Sequence, residues 1–83
     1  MYNVILKKKA KKFIDRLPLN DKQRIVDAIQ LLPFMGDIKP VHGYDKYMRL
    51  RIGDYRIIYT VDNDILTIYV LDAGNRGEIY KRY

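Results

Sequence analysis

The sequence predicts an α+β domain in two layers: an N-terminal strand, a two-helix hairpin, and a mainly antiparallel sheet that ends in a three-stranded meander. Three observations predict it. Residues 48–80, MRLRIGDYRIIYTVDNDILTIYVLDAGNRGEIY, hold apolar runs rich in β-branched and aromatic residues, separated by Gly53-Asp54 and by Asp62-Asn63-Asp64. Such runs, joined by Gly, Asp and Asn, read as antiparallel hairpins. Residues 10–32 instead carry apolar side chains at helical spacing, broken once at Leu17-Pro18-Leu19. The third observation is length: 83 residues make one domain, 1–83, with a small core.

In order along the chain, residues 2–6 read as the first strand. The basic run 7–12 leads into a first helix with Ala10, Phe13, Ile14 and Leu17 on its apolar side. Pro18 ends that helix. Asn20, with Gln23 three residues on, makes an approximate capping box for a second helix. Ile25, Ala28, Ile29 and Leu32 form its stripe, widened by Val26, and Pro33 and Gly36 mark its end. Residues 36–46 read as a polar connector holding Pro40, His42, Gly43 and Tyr44. His42 has the intrinsic pKa of an acid/base group, but no partner is visible in the sequence, so a structural or neutral role is the expectation.

The meander sorts its side chains cleanly. With Gly53-Asp54 as a two-residue turn, Ile52 faces Tyr55 and Arg51 faces Arg56. Alternation then puts Met48, Leu50, Ile52, Tyr55, Ile57, Tyr59 and Val61 on one face and Arg49, Arg51 and Arg56 on the other. If Asn63-Asp64 is also a two-residue turn, Leu66, Ile68 and Val70 join the apolar face, and Thr67, Tyr69 and Leu71 the arginine face. Residues 65–73 form the third, central strand, and Gly74-Asn75-Arg76-Gly77 turns the chain. The helix hairpin covers the apolar face, and the arginine face is expected to stay open because little chain remains to cover it. Three arginines on one face repel one another unless solvent or an anion separates them, and the planar guanidinium fork suits phosphate.

Composition narrows the partners. The formal net charge is +6 and the pI about 9.6, which favours nucleic acid or an acidic protein. Besides the arginine face, Lys7, Lys8, Lys11, Lys46, Lys81 and Arg82 are candidate contacts to a nucleic-acid backbone, against the alternative of a solubilising surface. No apolar run is long enough to span a membrane, and no membrane partner is expected. Residues 1–6 are too short for an export signal, and the lysines follow them rather than precede them, so the expected location is cytoplasmic. There is no cysteine, hence no disulfide or thiolate metal site. Metal-ligand spacing, a phosphate-loop glycine pattern and a Ser/His/Asp set are also absent. No cofactor or metal is expected.

The run Tyr47-Met48-Arg49-Leu50-Arg51-Ile52-Gly53-Asp54-Tyr55-Arg56-Ile57-Ile58-Tyr59 resembles the core signature of the RelE/ParE superfamily of toxins. The segment Asp72-Ala73-Gly74-Asn75-Arg76-Gly77-Glu78-Ile79-Tyr80 is similar to that family's closing segment, Gly-x-Arg followed by a Tyr. The order of strand, helix hairpin and meander matches as well, so the likeness covers essentially the whole chain. It implies the toxin of a type II toxin–antitoxin system, neutralised by a cognate antitoxin protein, with the complex binding operator DNA through the antitoxin. RelE-like members cut mRNA in the ribosomal A site, where the 2′-hydroxyl attacks the neighbouring phosphate and no metal is required. ParE-like members share the fold and poison DNA gyrase.

By position the resemblance implies a catalytic set of Arg49, Arg51, Arg56, Arg76 and Tyr80. Some RelE members carry lysines where Arg49 and Arg51 stand. Lysine can shuttle a proton and arginine essentially cannot, which leaves Tyr80 as the only titratable member. The expected roles are charge stabilisation by Arg56 and Arg76 with Arg51 assisting, and stacking or proton transfer by Tyr80. The sequence leaves two classes open: a ribosome-dependent endoribonuclease, or a binding protein that acts on gyrase or only engages an antitoxin. The retained Gly74-x-Arg76…Tyr80 tail and the short helix hairpin favour the first.

Overall fold

A computed structural model describes residues 2–83; Met1, within the expected domain, lies outside the described residues. The elements run β1 (Asn3–Leu6), α1 (Lys8–Asp15), α2 (Leu19–Gln30), β2 (Asp37–Pro40), β3 (Met48–Ile52), β4 (Tyr55–Asp62), β5 (Thr67–Asn75) and α3 (Arg76–Arg82). They build one five-stranded sheet in the order β1-β5-β4-β3-β2. β1 runs parallel to β5 and every other pair is antiparallel. This is the α+β arrangement that the sequence predicts.

The hairpin helices form because their apolar residues share a face, and that face needs the sheet. Ala10 and Ile14 of α1 and Ile25 and Ile29 of α2 are buried with Leu32. They pack in one cluster with Leu50, Ile57, Tyr59, Ile68, Val70 and Ala73. The Gly53-Asp54 reversal is as expected: Ile52 pairs with Tyr55 and Arg51 with Arg56. Gly53 takes φ +57°, a conformation that costs a side-chain-bearing residue but not glycine.

Several expectations are corrected. α2 begins at Leu19, and Pro18 rather than Asn20 stands at its cap, because the Pro18 carbonyl accepts the Lys22 N–H at 2.9 Å. Part of the connector 36–46 is a strand. β2 is short and ends in Pro40, which an edge strand tolerates, and it pairs with β3. The β4–β5 reversal is a four-residue loop, 63–66, not a two-residue turn: Asp62 pairs with Thr67. The Asp62 carboxylate accepts the Asp64 N–H at 3.0 Å, the local bond that favours Asp at turns. Lengthening the loop by two keeps the parity, so Ile68 and Val70 still reach the core. Leu66, however, sits in the loop at φ +47° and is exposed.

Two further differences bear on function. The pairing of β4 with β5 shifts between Ile58 and Tyr59, so that Tyr59 faces Val70 and Ile58 faces Asp72. Leu71 is the extra residue of this bulge, which reverses the alternation beyond it. Asp72 therefore shares the arginine face with Ile58, and Ala73 enters the core beside Ile57. β5, expected to be central, is interior but second in the order; β4 is central. Finally, residues 74–77 do not simply turn the chain. β5 runs directly into α3, which folds back over the arginine face and buries Ile79. That face is partly roofed, not open.

Candidate functional site

The arginine face is built from side chains that alternate with the core. Arg56 and Ile58 lie on β4, Arg49 and Arg51 on β3, and Asp37 of β2 pairs across from Arg51. Arg51 and Arg56 are direct cross-strand neighbours, an unfavourable placing for like charges. They escape it by diverging. Arg51 is exposed, with Nη1 3.9 Å from Asp37 Oδ2. Arg56 is buried to 3% exposure and folds onto its own hairpin, donating from Nη1 to the carbonyls of Gly53 at 2.7 Å and Tyr55 at 3.0 Å. Arg49 is also largely buried, with Nη2 3.3 Å from Asp37 Oδ1.

Two donors on this face are left over. Among the described residues, the buried Nε–H groups of Arg49 and Arg56 have no acceptor. An unsatisfied buried donor costs about 1–3 kcal/mol, more when charged. An anion bound on this face relieves that cost.

α3 completes the site. Its start is fixed to the hairpin turn by a bond from Arg76 N to Asp54 O of 2.8 Å. Gly74 lies opposite Arg56, and its bare Cα lets the helix approach: a Cβ there would stand 3.3 Å from Ile79 and 3.1 Å from Arg82 Nη2. The helix then sets the Tyr80 ring beside two cations, 5.9 Å from the Arg56 guanidinium and 5.6 Å from that of Arg76. The nearby Arg56 cation, chiefly, and Arg76 favour the phenolate and hold the Tyr80 pKa below its ordinary 10.0, with desolvation opposing them. Arg56 and Tyr80 stand together although they are far apart in sequence.

Three of the five expected catalytic residues thus meet: Arg56, Arg76 and Tyr80. Arg49 joins them through a cavity of about 190 Å³ that it lines with Tyr80, His42, Ile58 and Tyr83, among others. Arg51 lies on the same face but is turned toward Asp37. Asp37 is a member of the site that sequence reasoning missed, because β2 was read as connector.

The expected RNA-contact residues divide. Lys7 lies over the Tyr69 ring at 5.4 Å, and Lys46 lines a groove with Thr60 and Tyr69; both belong to the arginine face. Lys81 is exposed on α3. Lys8 and Lys11 are on α1, which packs on the opposite face of the sheet, and Lys11 pairs with Asp15 at 2.6 Å. Arg82 turns inward: Nε and Nη2 donate to Asp72 at 3.0 and 3.2 Å. Its position is that of an anchor for α3. Tyr44, Tyr47 and Tyr83 form an aromatic cluster at the other end of the helix, with Tyr44 and Tyr47 stacked at 5.4 Å. Burial, with the Asp72 carboxylate adding to it, pushes the Tyr83 pKa up to about 12. Among the described residues, no group of three or more His, Asp or Glu side chains is gathered to hold a metal ion.

Comparison with known proteins bears on the family and the fold. The family model described as the ParE toxin of type II toxin–antitoxin systems matches residues 4–80. No curated protein sequence matches the chain significantly. Among solved structures, the archaeal RelE–RelB complex from Pyrococcus horikoshii is similar at 27% identity and TM-score 0.76, over 92% of this chain and 96% of that one. The RelB–RelE antitoxin–toxin complex of Methanococcus jannaschii matches at 29% identity and TM-score 0.76, over 95% and 98%. The isolated RelE toxin of E. coli, at 17% identity and TM-score 0.73 over 99% and 94%, shares the fold.

Proposed function

Because the chain belongs to the family of ParE toxins of type II toxin–antitoxin systems, we propose that it is the toxin of such a pair and acts as a ribosome-dependent mRNA endonuclease. The observation that carries this reading is the Tyr80 ring beside the guanidinium groups of both Arg56 (5.9 Å) and Arg76 (5.6 Å). A toxin that only binds a partner has no chemical need for a tyrosine whose pKa two cations lower.

The reaction assigned to these residues is attack of a ribose 2′-hydroxyl on the adjacent phosphorus, with departure of the 5′-oxygen. The Tyr80 phenolate accepts the 2′-hydroxyl proton, and water protonates the leaving oxygen. As the attacking bond forms, negative charge grows on the non-bridging oxygens. Arg56, held by the Gly53 and Tyr55 carbonyls, and Arg76 beside it supply positive charge at that position, where preorganised charge is most effective. The orphaned Arg56 Nε–H gives one donor that needs no rearrangement. Arg51 contributes charge from the edge of the site. Fixed arginines and a ring that stacks on a base hold the nucleotide for in-line attack. The ribosomal A site presents the mRNA, and Lys7 and Lys46 extend the cationic track along the same face.

The similar complexes of P. horikoshii and M. jannaschii pair a RelE toxin with a RelB antitoxin. For this chain we likewise assign a cognate antitoxin, with an acidic or amphipathic segment that masks the +6 charge, and operator DNA reached through that antitoxin. Charge reversal at Arg51 and Arg56 weakens the complex; an unchanged affinity contradicts this surface.

The family model that matches is named for ParE, which keeps a second reading in view: poisoning of DNA gyrase. Induced expression separates the two. Translation arrest with mRNA cut in A-site codons supports the nuclease, whereas filamentation and DNA-damage signalling without mRNA cleavage supports gyrase.

A further inference from the structure

We propose that the cavity beside Tyr80 is a nucleobase pocket, formed between the β2–β3 connector and α3, that selects which codons are cut. The proposal rests on the nuclease reading and deepens it. Val41 and His42 of the connector form one wall, Tyr80 of α3 and Tyr83 just after it the other, and Arg49 and Ile58 rise from the sheet.

Four observations carry it. The first is size: the volume is about 190 Å³, and a cavity of about 150 Å³ accepts a benzene ring, so one flat base fits. The second is composition. The walls are mostly apolar and aromatic with a few polar groups, the usual make-up of a site that holds a ring and reads its edge. The third is the buried Arg49 Nε–H, which has no acceptor; a ring nitrogen or carbonyl oxygen on a base supplies one, and His42 offers a second edge contact. The fourth is connectivity. Tyr80 both lines the cavity and stands against Arg56 and Arg76, so a nucleotide with its phosphate at the arginines has its base directed here.

The walls are also held in place without ligand. Tyr44, stacked on Tyr47, donates from its hydroxyl to the Arg82 carbonyl at 3.3 Å and lies against Tyr83. Val41 N bonds Tyr47 O at 3.0 Å. The connector is thereby fastened to α3 beside the cavity. Tyr83 keeps its proton, with a pKa of about 12, and presents a neutral ring.

The test has two arms. Wild-type protein and the variants His42→Trp, which fills the cavity, and His42→Ala, which opens it, are titrated by NMR with AMP, CMP, GMP and UMP, and with ribose 5-phosphate and inorganic phosphate as controls. His42 is exposed, and the spectra report whether the variants fold. The proposal predicts that a nucleotide binds wild type about tenfold or more tightly than ribose 5-phosphate, the size of one stacked base. It also predicts that nucleotides alone shift the amides of Val41, His42 and Ile79, and that His42→Trp abolishes the difference. Equal affinity for nucleotide and ribose 5-phosphate overturns it. In the second arm the same proteins cut mRNA on programmed ribosomes. A changed codon distribution or raised KM in the His42 variants supports the pocket, while cleavage at the same codons with the same KM overturns it. If wild type cuts nothing yet binds bases preferentially, the nuclease reading fails and the pocket stands.

Discussion

Arg82 grips Asp72 with two donors, Nε at 3.0 Å and Nη2 at 3.2 Å, and the carboxylate between them is fully buried. A second cation, Lys9, lies 3.5 Å away, and the carboxylate also accepts the Ala73 N–H at 2.8 Å. Asp72 reaches this position only because the bulge at Leu71 turns it to the arginine face. The pair joins β5 to the last turn of α3, the helix that carries Arg76 and Tyr80. It is therefore a positioning device for the proposed chemistry.

Asp72→Asn leaves two cations facing a neutral amide. Removing one partner of a buried pair costs about 3–5 kcal/mol; Arg82 is partly exposed, so about 2–3 kcal/mol is expected. Urea unfolding measures it. Near-wild-type stability would mean that Ile79 and the tyrosine cluster hold α3 without the pair.

Ile79 is the apolar half of the same attachment, 2% exposed, over Gly74 and lining one cavity with Ile58. Ile79→Ala is expected to lower stability by about 2–4 kcal/mol, since the cavity it leaves adjoins one already present. Hydrogen exchange should show α3 losing protection before the sheet does. Uniform loss across the chain would contradict an independently docked helix.

The tyrosines give the pH dependence. Tyr80 has its pKa lowered by Arg56 and Arg76, so it ionises earlier than an ordinary tyrosine as pH rises, and ultraviolet difference titration should lose a low-pH component in Tyr80→Phe. Cleavage should rise with pH as the phenolate forms, and Arg56→Ala should move that limb to higher pH. Tyr83 behaves oppositely. Its folded pKa of about 12 exceeds the ordinary 10.0, so the unfolded chain ionises first. Stability from this group is full below pH 10 and is lost as pH climbs through 12. An alkaline transition in α3 that persists in Tyr83→Phe would refute the assignment.

Asp37 tests the role of the first-strand arginines. It holds Arg49 at 3.3 Å and Arg51 at 3.9 Å on an exposed edge. Asp37→Asn should change stability by less than about 1 kcal/mol and should strengthen binding of single-stranded RNA with a steeper salt dependence. Unchanged RNA affinity would remove Arg49 and Arg51 from the contact surface.

The meander was legible because glycine, aspartate and strict alternation fix a hairpin register locally; Arg51 opposite Arg56 followed from Gly53-Asp54 alone. The helices were legible from the spacing of Ala10, Ile14, Ile25 and Ile29. β2 was not, because four residues ending in Pro40 have no pattern of their own and become a strand only by pairing with β3. The bulge at Leu71 was not either, since nothing in Val70-Leu71-Asp72 marks which residue is extra, and without it Asp72 falls on the wrong face. α3 is short and looks like a tail until Ile79 is buried over Gly74. The meeting of Arg56, Arg76 and Tyr80 was reached through family resemblance, whereas Asp37, the Asp72–Arg82 pair and the cavity beside His42 depend on elements that only the fold brings together.

The most direct test is mRNA cleavage on programmed ribosomes, with cut ends mapped for wild type, Arg56→Ala, Arg76→Ala and Tyr80→Phe. The account predicts cuts within the A-site codon by wild type. Loss of about 10²–10⁴-fold is expected in Tyr80→Phe and about 10²–10³-fold in each arginine variant, with Tyr80→Phe folded as stably as wild type because the ring is 53% exposed. Folded wild-type protein that is toxic but cuts no mRNA, or a Tyr80→Phe variant that cuts at the wild-type rate, would contradict it.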